Sequence, residues 1–310
     1  MEKIQSVVFG LGRIGMLYGL EKKRIQPASH IEAIKNNKKF NLTGVCDPSK
    51  DSRDLFVKKY GKHNNLFDSH IELLLFLKKN NINPQLFVIA TPENTHFQII
   101  KDIVKIFNNP KKKSIIFCEK PLTKNIESAK EIKKILNNSN YELIVNHTRR
   151  WSKIWNLCHK KIRNIGKIQR AIFIYSTSPE NKPVDQMRDG IHIADLINWL
   201  DIKDKIQVKR VSLPYLVYDL HVWGDVGKME VLNNGEKLNM YNKQKSKRFE
   251  GFSELNLVSK SEFNDSTLKN AYSEFFKFFN SNNHKLSTNL QDAINAMDTF
   301  KRYVYEKSFK

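Results

Sequence analysis

The residues whose types and spacing suit chemistry begin almost at once. A β-rich run over residues 6–9 leads into Gly10-Leu11-Gly12-Arg13-Ile14-Gly15, and a helix-compatible segment follows. Glycines spaced this way after a strand suit a turn that cradles a diphosphate. Gly10 permits the tight bend, Gly12 lets the backbone approach the phosphates, and Gly15 lets a helix pack on the strand. N–H groups of Gly12, Arg13 and Ile14 at the helix start would add an anion site. Asp47 closes a second β-rich run. A carboxylate there accepts hydrogen bonds from an adenosine ribose and repels a 2′-phosphate, which favours NAD over NADP. Ser49, Lys50 and Arg53 lie close enough to bind a phosphate, so NADP is not excluded. The gap from the glycines to Asp47 is longer than usual, and an insertion over residues 24–39 accounts for the excess.

Further unusual polar clusters follow apolar runs: Thr91-Pro92-Glu93-Asn94-Thr95-His96, Glu119-Lys120-Pro121 and Asn146-His147-Thr148-Arg149-Arg150-Trp151. Elements must position them. Strands are expected over 41–46, 85–90, 114–118 and 142–145 besides the first. They alternate with helices after Gly15 and over 30–36 (capped by Ser29), 51–60, 71–77, 97–107 and 125–136. Such alternation predicts a parallel sheet covered on both faces, with ligands gathering outside the carboxyl ends of its strands. Beyond Trp151 the rhythm changes. A helix over 153–163, a strand over 167–176 and a helix over 189–200 precede period-2 segments at 208–213, 216–223, 228–232 and 254–258. Helices over 268–279 and 289–305 close the chain. The expected organisation is an α/β Rossmann domain over 1–148. An α+β domain over 149–310 follows, with an open, mostly antiparallel sheet.

Composition narrows the class. The chain has 310 residues, a net charge of +21 and only three cysteines, Cys46, Cys118 and Cys158. No cysteine pairing suits a metal, so no metal is expected. Lysines are scattered over turns and polar helix faces without a nucleic-acid-binding signature, so no nucleic-acid partner is expected. No run is long and apolar enough for a membrane helix, and the first residues lack the apolar core of a signal peptide. A cytoplasmic location and no membrane partner are the expectation.

Taken together, Gly10 to Gly15, Asp47, Ala90-Thr91-Pro92 with Asn94 and His96, Glu119-Lys120-Pro121, Gly190-Ile191-His192-Ile193-Ala194-Asp195 and Trp199 resemble the Gfo/Idh/MocA oxidoreductase family. The resemblance covers nearly the whole chain. It implies that Lys120 is the catalytic lysine, aimed by Pro121, and that His192 transfers the substrate proton. It implies further that Thr91, Pro92, Asn94, His96 and Glu119 line the cofactor, and that Asp195 orients His192 or binds substrate. The chemistry agrees, because hydride leaves a carbinol carbon only as the hydroxyl proton departs. A histidine titrates near neutrality, and a lysine stabilises the developing alkoxide. One position departs from the family pattern. The acid usually found four residues before the histidine is Arg188 here, with Asp189 adjacent and Asp185 nearby. Either a one-residue shift restores the carboxylate, or Arg188 with Arg149 or Arg150 holds an anionic substrate by bidentate contacts.

The function expected is an NAD(P)-dependent dehydrogenase or reductase of a sugar, sugar derivative or polyol, with an anionic or nucleotide sugar in view. The rival is a catalytically inactive nucleotide-binding regulator of the same fold. The resemblance implies a homo-oligomer, dimer or tetramer, paired through the C-terminal sheet; the apolar alternation over 216–223 either serves that contact or packs under the domain's own helices.

Overall fold

A computed structural model describes residues 2–108, 113–137, 139–176, 186–281 and 283–305. The chain divides into two compact units, Met1–Thr148 with Ser266–Ile294, and Arg149–Asp265 with Asn295–Lys310.

The first unit is built on β1 (Ile4–Phe9), β2 (Phe40–Cys46), β3 (Leu66–Phe67), β4 (Leu86–Ile89), β5 (Ser114–Cys118) and β6 (Tyr141–Val145). They form one parallel sheet in the order β3-β2-β1-β4-β5-β6. Val7-Val8-Phe9, Leu86 to Ile89 and Ile115-Ile116-Phe117 are buried on both faces, as continuous apolar runs in parallel strands must be. Four helices, α2 (Lys50–Tyr60), α3 (His70–Lys79), α4 (Glu93–Phe107) and α5 (Ile126–Leu136), connect the strands. The side chains of Ser49, Ser69 and Asn125 cap α2, α3 and α5 by accepting from backbone N–H groups three residues on. In α4, Ile99, Ile100, Ile103 and Phe107 make the buried stripe.

The first connection differs from the expected helix. After Gly12 the chain makes a single helical turn, then a short 3₁₀ segment, Leu17–Leu20, and a loop. A helix resumes only at α1 (His30–Lys35). The reason lies in the hydrogen bonds. The carbonyls of Ile14 and Gly15 accept from the N–H groups of His30 and Ile31, sixteen residues along. Those are the bonds a continuous helix would make four residues along. The helix is therefore interrupted, and the intervening chain loops out with Lys22, Lys23 and Arg24 exposed.

The second correction concerns the closing helices. The chain over 149–310 does not stay in one unit. The helix α8 (Thr267–Asn280) belongs to the first unit, because its apolar stripe needs that unit's aromatic residues. Tyr272 lies edge-on to Phe40 and Phe117, and Phe275 edge-on to Phe117 at 4.8 Å. Residues 289–305 also divide, into α9 (Leu290–Thr299) and a π-helical turn, Phe300–Tyr305.

The second unit carries α6 (Lys153–Lys161), β7 (Ile168–Ser176), α7 (Gln186–Trp199) and β8 (Ile206–Val211). These precede β9 (Tyr218–Gly224), β10 (Gly227–Leu232), β11 (Lys237–Lys245) and β12 (Ser253–Glu262). The sheet order is β12-β11-β10-β9-β7-β8, antiparallel except for the pair β7 and β8. One face, with Phe173, Leu220, Val222, Met229, Val231 and Leu238, is buried, and α6 lies against β10 and β11. Leu220 and Val222, the centre of the alternation read as an oligomer surface, are thus consumed by the unit's own core. The opposite face carries a polar cluster around Glu230. Glu230 accepts hydrogen bonds from Lys228, Tyr241 and Asn239 and pairs with His221. Burial opposes the charge, but Lys228 and Tyr241 outweigh it and pull the Glu230 carboxyl down to about 2.

No helix among the described residues is long and apolar enough to cross a membrane.

Candidate active site

Three neighbouring strands of the first unit, β1, β4 and β5, deliver the predicted polar clusters to one sheet edge. The glycine turn follows β1, Thr91-Pro92 follows β4, and Glu119-Lys120-Pro121 follows β5. This edge is the crevice where the strand order reverses.

The three glycines differ in what demands them. Gly10 has φ +96°, and a Cβ there would sit 2.6 Å from the Ala90 carbonyl oxygen. A Cβ on Gly15 would sit 2.1 Å from the Gly10 carbonyl oxygen. Both are therefore fixed by the fold itself. A Cβ on Gly12 would meet nothing within 4 Å, so the fold leaves that space open. Among the described residues the N–H groups of Gly12, Arg13 and Ile14 donate to no protein acceptor. An open space faced by unpaired N–H donors fits the diphosphate of a dinucleotide. Asp47, at the end of β2, braces the turn. Its Oδ2 accepts from Leu11 N at 2.7 Å and its Oδ1 from Ser49 N at 2.8 Å. Arg53, one candidate for a 2′-phosphate, donates to the carbonyls of Asp47 and Pro48.

At the next corner Thr91 is half-buried, and Pro92 and Asn94 are exposed. His96 is fully buried, which corrects its expected place in the cofactor lining. Its Nε2 lies 2.8 Å from the Thr91 carbonyl oxygen, and its Nδ1 lies 3.1 Å from those of Pro121 and Leu122. It ties the turn after β4 to the turn after β5. The Lys120-Pro121 peptide is cis, and Lys120 is half-buried.

Glu119 is buried beside it. Its Oε1 accepts from His30 Nε2 at 3.0 Å and from Asn146 Nδ2 at 2.5 Å. Burial pushes its pKa up, but the His30 and Asn146 hydrogen bonds and the charges of His30 and Lys120 prevail and hold it below the usual range. His30 in turn meets the Tyr272 hydroxyl at 3.1 Å. Sequence reading assigned His30 and Tyr272 no role. Ser29 was legible as a cap, but nothing in the spacing links residues 30, 119 and 272.

In the second unit α7 carries His192, which is half-buried, and Asp195, which is fully buried. Asp195 pairs with an arginine of its own unit. Arg150 grips both its oxygens, Nε to Oδ2 at 2.9 Å and Nη2 to Oδ1 at 2.7 Å, and lies over the Trp199 ring. Both side chains of the pair are buried. Arg149 lies over the ring of Tyr218. Gly190 lets α7 close on the Phe300–Tyr305 turn, since a Cβ there would lie 2.6 Å from the Phe300 ring. Arg188 and Asp189 lie on α7, but their side chains, like Asp185, are outside the described residues.

The cysteines are buried, and burial drives the Cys46 and Cys158 thiols up to about 12. Among the described residues no His, Cys, Asp and Glu group could hold a metal.

Residues 4–147 match the family described as "Oxidoreductase family, NAD-binding Rossmann fold". The chain is 26% identical over 235 residues to an inositol 2-dehydrogenase of Rhizobium meliloti (strain 1021). That match spans 73% of this chain and 63% of the relative, less than two thirds of its length. Among solved structures, the WlbA dehydrogenase of Bordetella pertussis, in complex with NADH and UDP-GlcNAcA, superposes with a TM-score of 0.69 at 15% identity. That superposition covers 100% of this chain and 97% of the other. UDP-N-acetylglucosamine 3-dehydrogenase GnnA of Acidithiobacillus ferrooxidans superposes with a TM-score of 0.73 at 13% identity, covering 99% and 98%. These structural likenesses show the fold. Through this match, residues 4–147 are similar to the Gfo/Idh/MocA oxidoreductase family, whose Rossmann fold is NAD-binding.

Proposed function

We propose that this chain is an NAD(P)-dependent oxidoreductase that acts on a CH–OH group of a sugar, sugar derivative or polyol. The observation that carries the reading is the shared sheet edge. The open space at Gly12, the Thr91-Pro92 turn and the Glu119-Lys120 corner leave three adjacent strands. NAD(H), when bound, supplies the hydride acceptor or donor. The protein's own contribution is to position and to handle charge. N–H groups of Gly12, Arg13 and Ile14 hold the diphosphate, and Asp47 faces the adenosine ribose and favours NAD. Thr91, Pro92, Asn94 and Glu119 surround the nicotinamide nucleoside. Lys120 Nζ stabilises an oxyanion that develops on the substrate, and the family resemblance assigns proton transfer to His192.

The family relatives support the substrate class. One is named for inositol, and two superposed structures are named for, or hold, nucleotide sugars. An anionic or nucleotide sugar is the finer proposal, with Arg149 and Arg188 proposed as cationic contacts and Asp189, next to Arg188 in sequence, as a further substrate-binding residue. The Arg150–Asp195 pair supports α7 beneath His192. We further propose a homo-oligomer in the cytoplasm. Its contact would use the exposed Leu255, Leu257 and Val258 of β12 in place of residues 216–223. Light scattering at micromolar concentration tests this, and a monomer would remove it. The activity is tested by following nicotinamide absorbance with a panel of polyols, sugar acids and nucleotide sugars. Tight NADH binding without turnover on any of them would favour the inactive regulator instead.

A further inference from the structure

A chain of polar contacts runs through the aromatic core of the first unit and ends at the corner that holds Lys120. The Tyr272 hydroxyl on α8 meets His30 Nδ1, and His30 Nε2 meets Glu119 Oε1. A carboxylate oxygen only accepts, so His30 Nε2 carries the proton between them. The other ring nitrogen, Nδ1, shares a hydrogen bond with the Tyr272 hydroxyl, which can donate or accept. Burial pushes the Tyr272 phenol well up, which keeps its proton in place. Both rings are buried among Phe117, Phe40 and Phe275. Polar groups in such a setting are not needed to fill space, since apolar residues of similar volume pack there without desolvation cost.

The two Glu119 oxygens are in different states. Oε1 is saturated by His30 and Asn146. Oε2 makes none of the hydrogen bonds found among the described residues, and it lies at the strand edge where the glycine turn and Lys120 gather. We propose that His30 and Tyr272 are positioning residues. They hold Glu119 ionised, with Oε2 turned out to accept a hydroxyl or amide N–H of the nicotinamide nucleoside. The proposal rests on the dinucleotide-binding reading above. It adds that the C-terminal helix α8 reaches that site through one histidine.

The test is a double-mutant cycle on cofactor affinity, read by NADH fluorescence in the full-length protein. His30→Leu should weaken NADH binding by about 10–100-fold, the loss expected for a hydrogen bond to a charged group. His30→Gln, which keeps an N–H donor, should restore most of the affinity. Tyr272→Phe keeps the ring in the aromatic cluster and should cost about threefold to tenfold, so the proposal stands even where His30→Leu folds poorly. In a Glu119→Gln background the effect of His30→Leu should vanish, because its route to the cofactor is gone. An unchanged, additive effect in that background would overturn the proposal, as would Tyr272→Phe and His30→Gln both binding NADH like the unaltered protein. If the unaltered protein binds neither NADH nor NADPH, both this proposal and the functional reading fall. If it binds NADH and the cycle is additive, only this one does.

Discussion

Glu119 and Asp195 are both buried carboxylates, one in each unit, and they are held in opposite ways. Asp195 faces a guanidinium that matches both its oxygens in a planar fork. Glu119 has one oxygen doubly bonded by His30 and Asn146 and the other without a bond among the described residues. The first arrangement is a planar ion pair: charge is neutralised where it stands, and each oxygen already has a partner. The second is half-made, and it sits beside a lysine at a strand end. Motif spacing presents the two acids as equivalent site residues. Each acid accepts two side-chain hydrogen bonds, and what separates them is their distribution: one on each oxygen of Asp195, both on one oxygen of Glu119.

The sharpest way to break this contrast is Arg150→Ala. It would leave Asp195 charged and buried without a partner, and should lower stability by about 3–5 kcal/mol. Replacing both, Arg150→Met with Asp195→Leu, should recover most of that. Denaturant midpoints at constant m-value measure it, and a loss under about 1 kcal/mol would mean the pair is no closed tie. Next comes the open side. Lys120→Ala should leave the denaturant midpoint and NADH affinity nearly unchanged while kcat falls by about 10²–10³-fold on a confirmed substrate, as for loss of an oxyanion donor. Full retention of kcat would place the chemistry away from the Glu119 corner.

A third carboxylate extends the comparison to the sheet of the second unit. Glu230 is drawn down to about 2 by Lys228 and Tyr241 against its burial. A depressed carboxyl stabilises the fold fully above its unfolded value, near 4.5, and loses that contribution as pH falls toward 2. Glu230→Gln should therefore cost about 1.5–3 kcal/mol at neutral pH. The difference from the unaltered protein should close between about pH 5 and 2 in urea melts. A gap constant with pH would show that the network does not hold the charge. The smallest effect belongs to Asp47, whose oxygens brace Leu11 and Ser49. Asp47→Ala should shift the ratio of NADH to NADPH affinity by about tenfold toward NADPH, since one like-charge repulsion is removed. Should the unaltered protein already prefer NADPH, Asp47 does not face the ribose.

Much of the sheet edge was legible because strands buried on both faces are short apolar runs with breakers after them. Ser114–Cys118 reads this way, and the polar cluster that follows it announces itself. β11 escaped because Tyr241 to Lys245 are polar on both faces of a partly exposed strand, leaving only Leu238 and Met240 to signal it. The interrupted first helix was invisible because its stop is set by hydrogen bonds to a segment sixteen residues away, while local spacing favoured continuation. The Glu119-Lys120 corner was legible as a polar cluster after an apolar run, and its expected role came from the family resemblance. The burial of His96 and the pairing of Arg150 with Asp195 were not legible, since partners 25 and 45 residues apart leave no trace in any local pattern.

The helix that starts at the glycine turn is one object written in two pieces of chain. Its register survives the gap, with His30 and Ile31 bonded to Ile14 and Gly15 as direct successors would be. The loop between them is therefore an insertion in the literal sense, a length of chain spliced in without disturbing the frame on either side. Such a splice makes the length of this loop a free variable of the sequence. It can lengthen, shorten or take on new side chains beside the glycine turn while the sheet, the turn and His30 stay where they are.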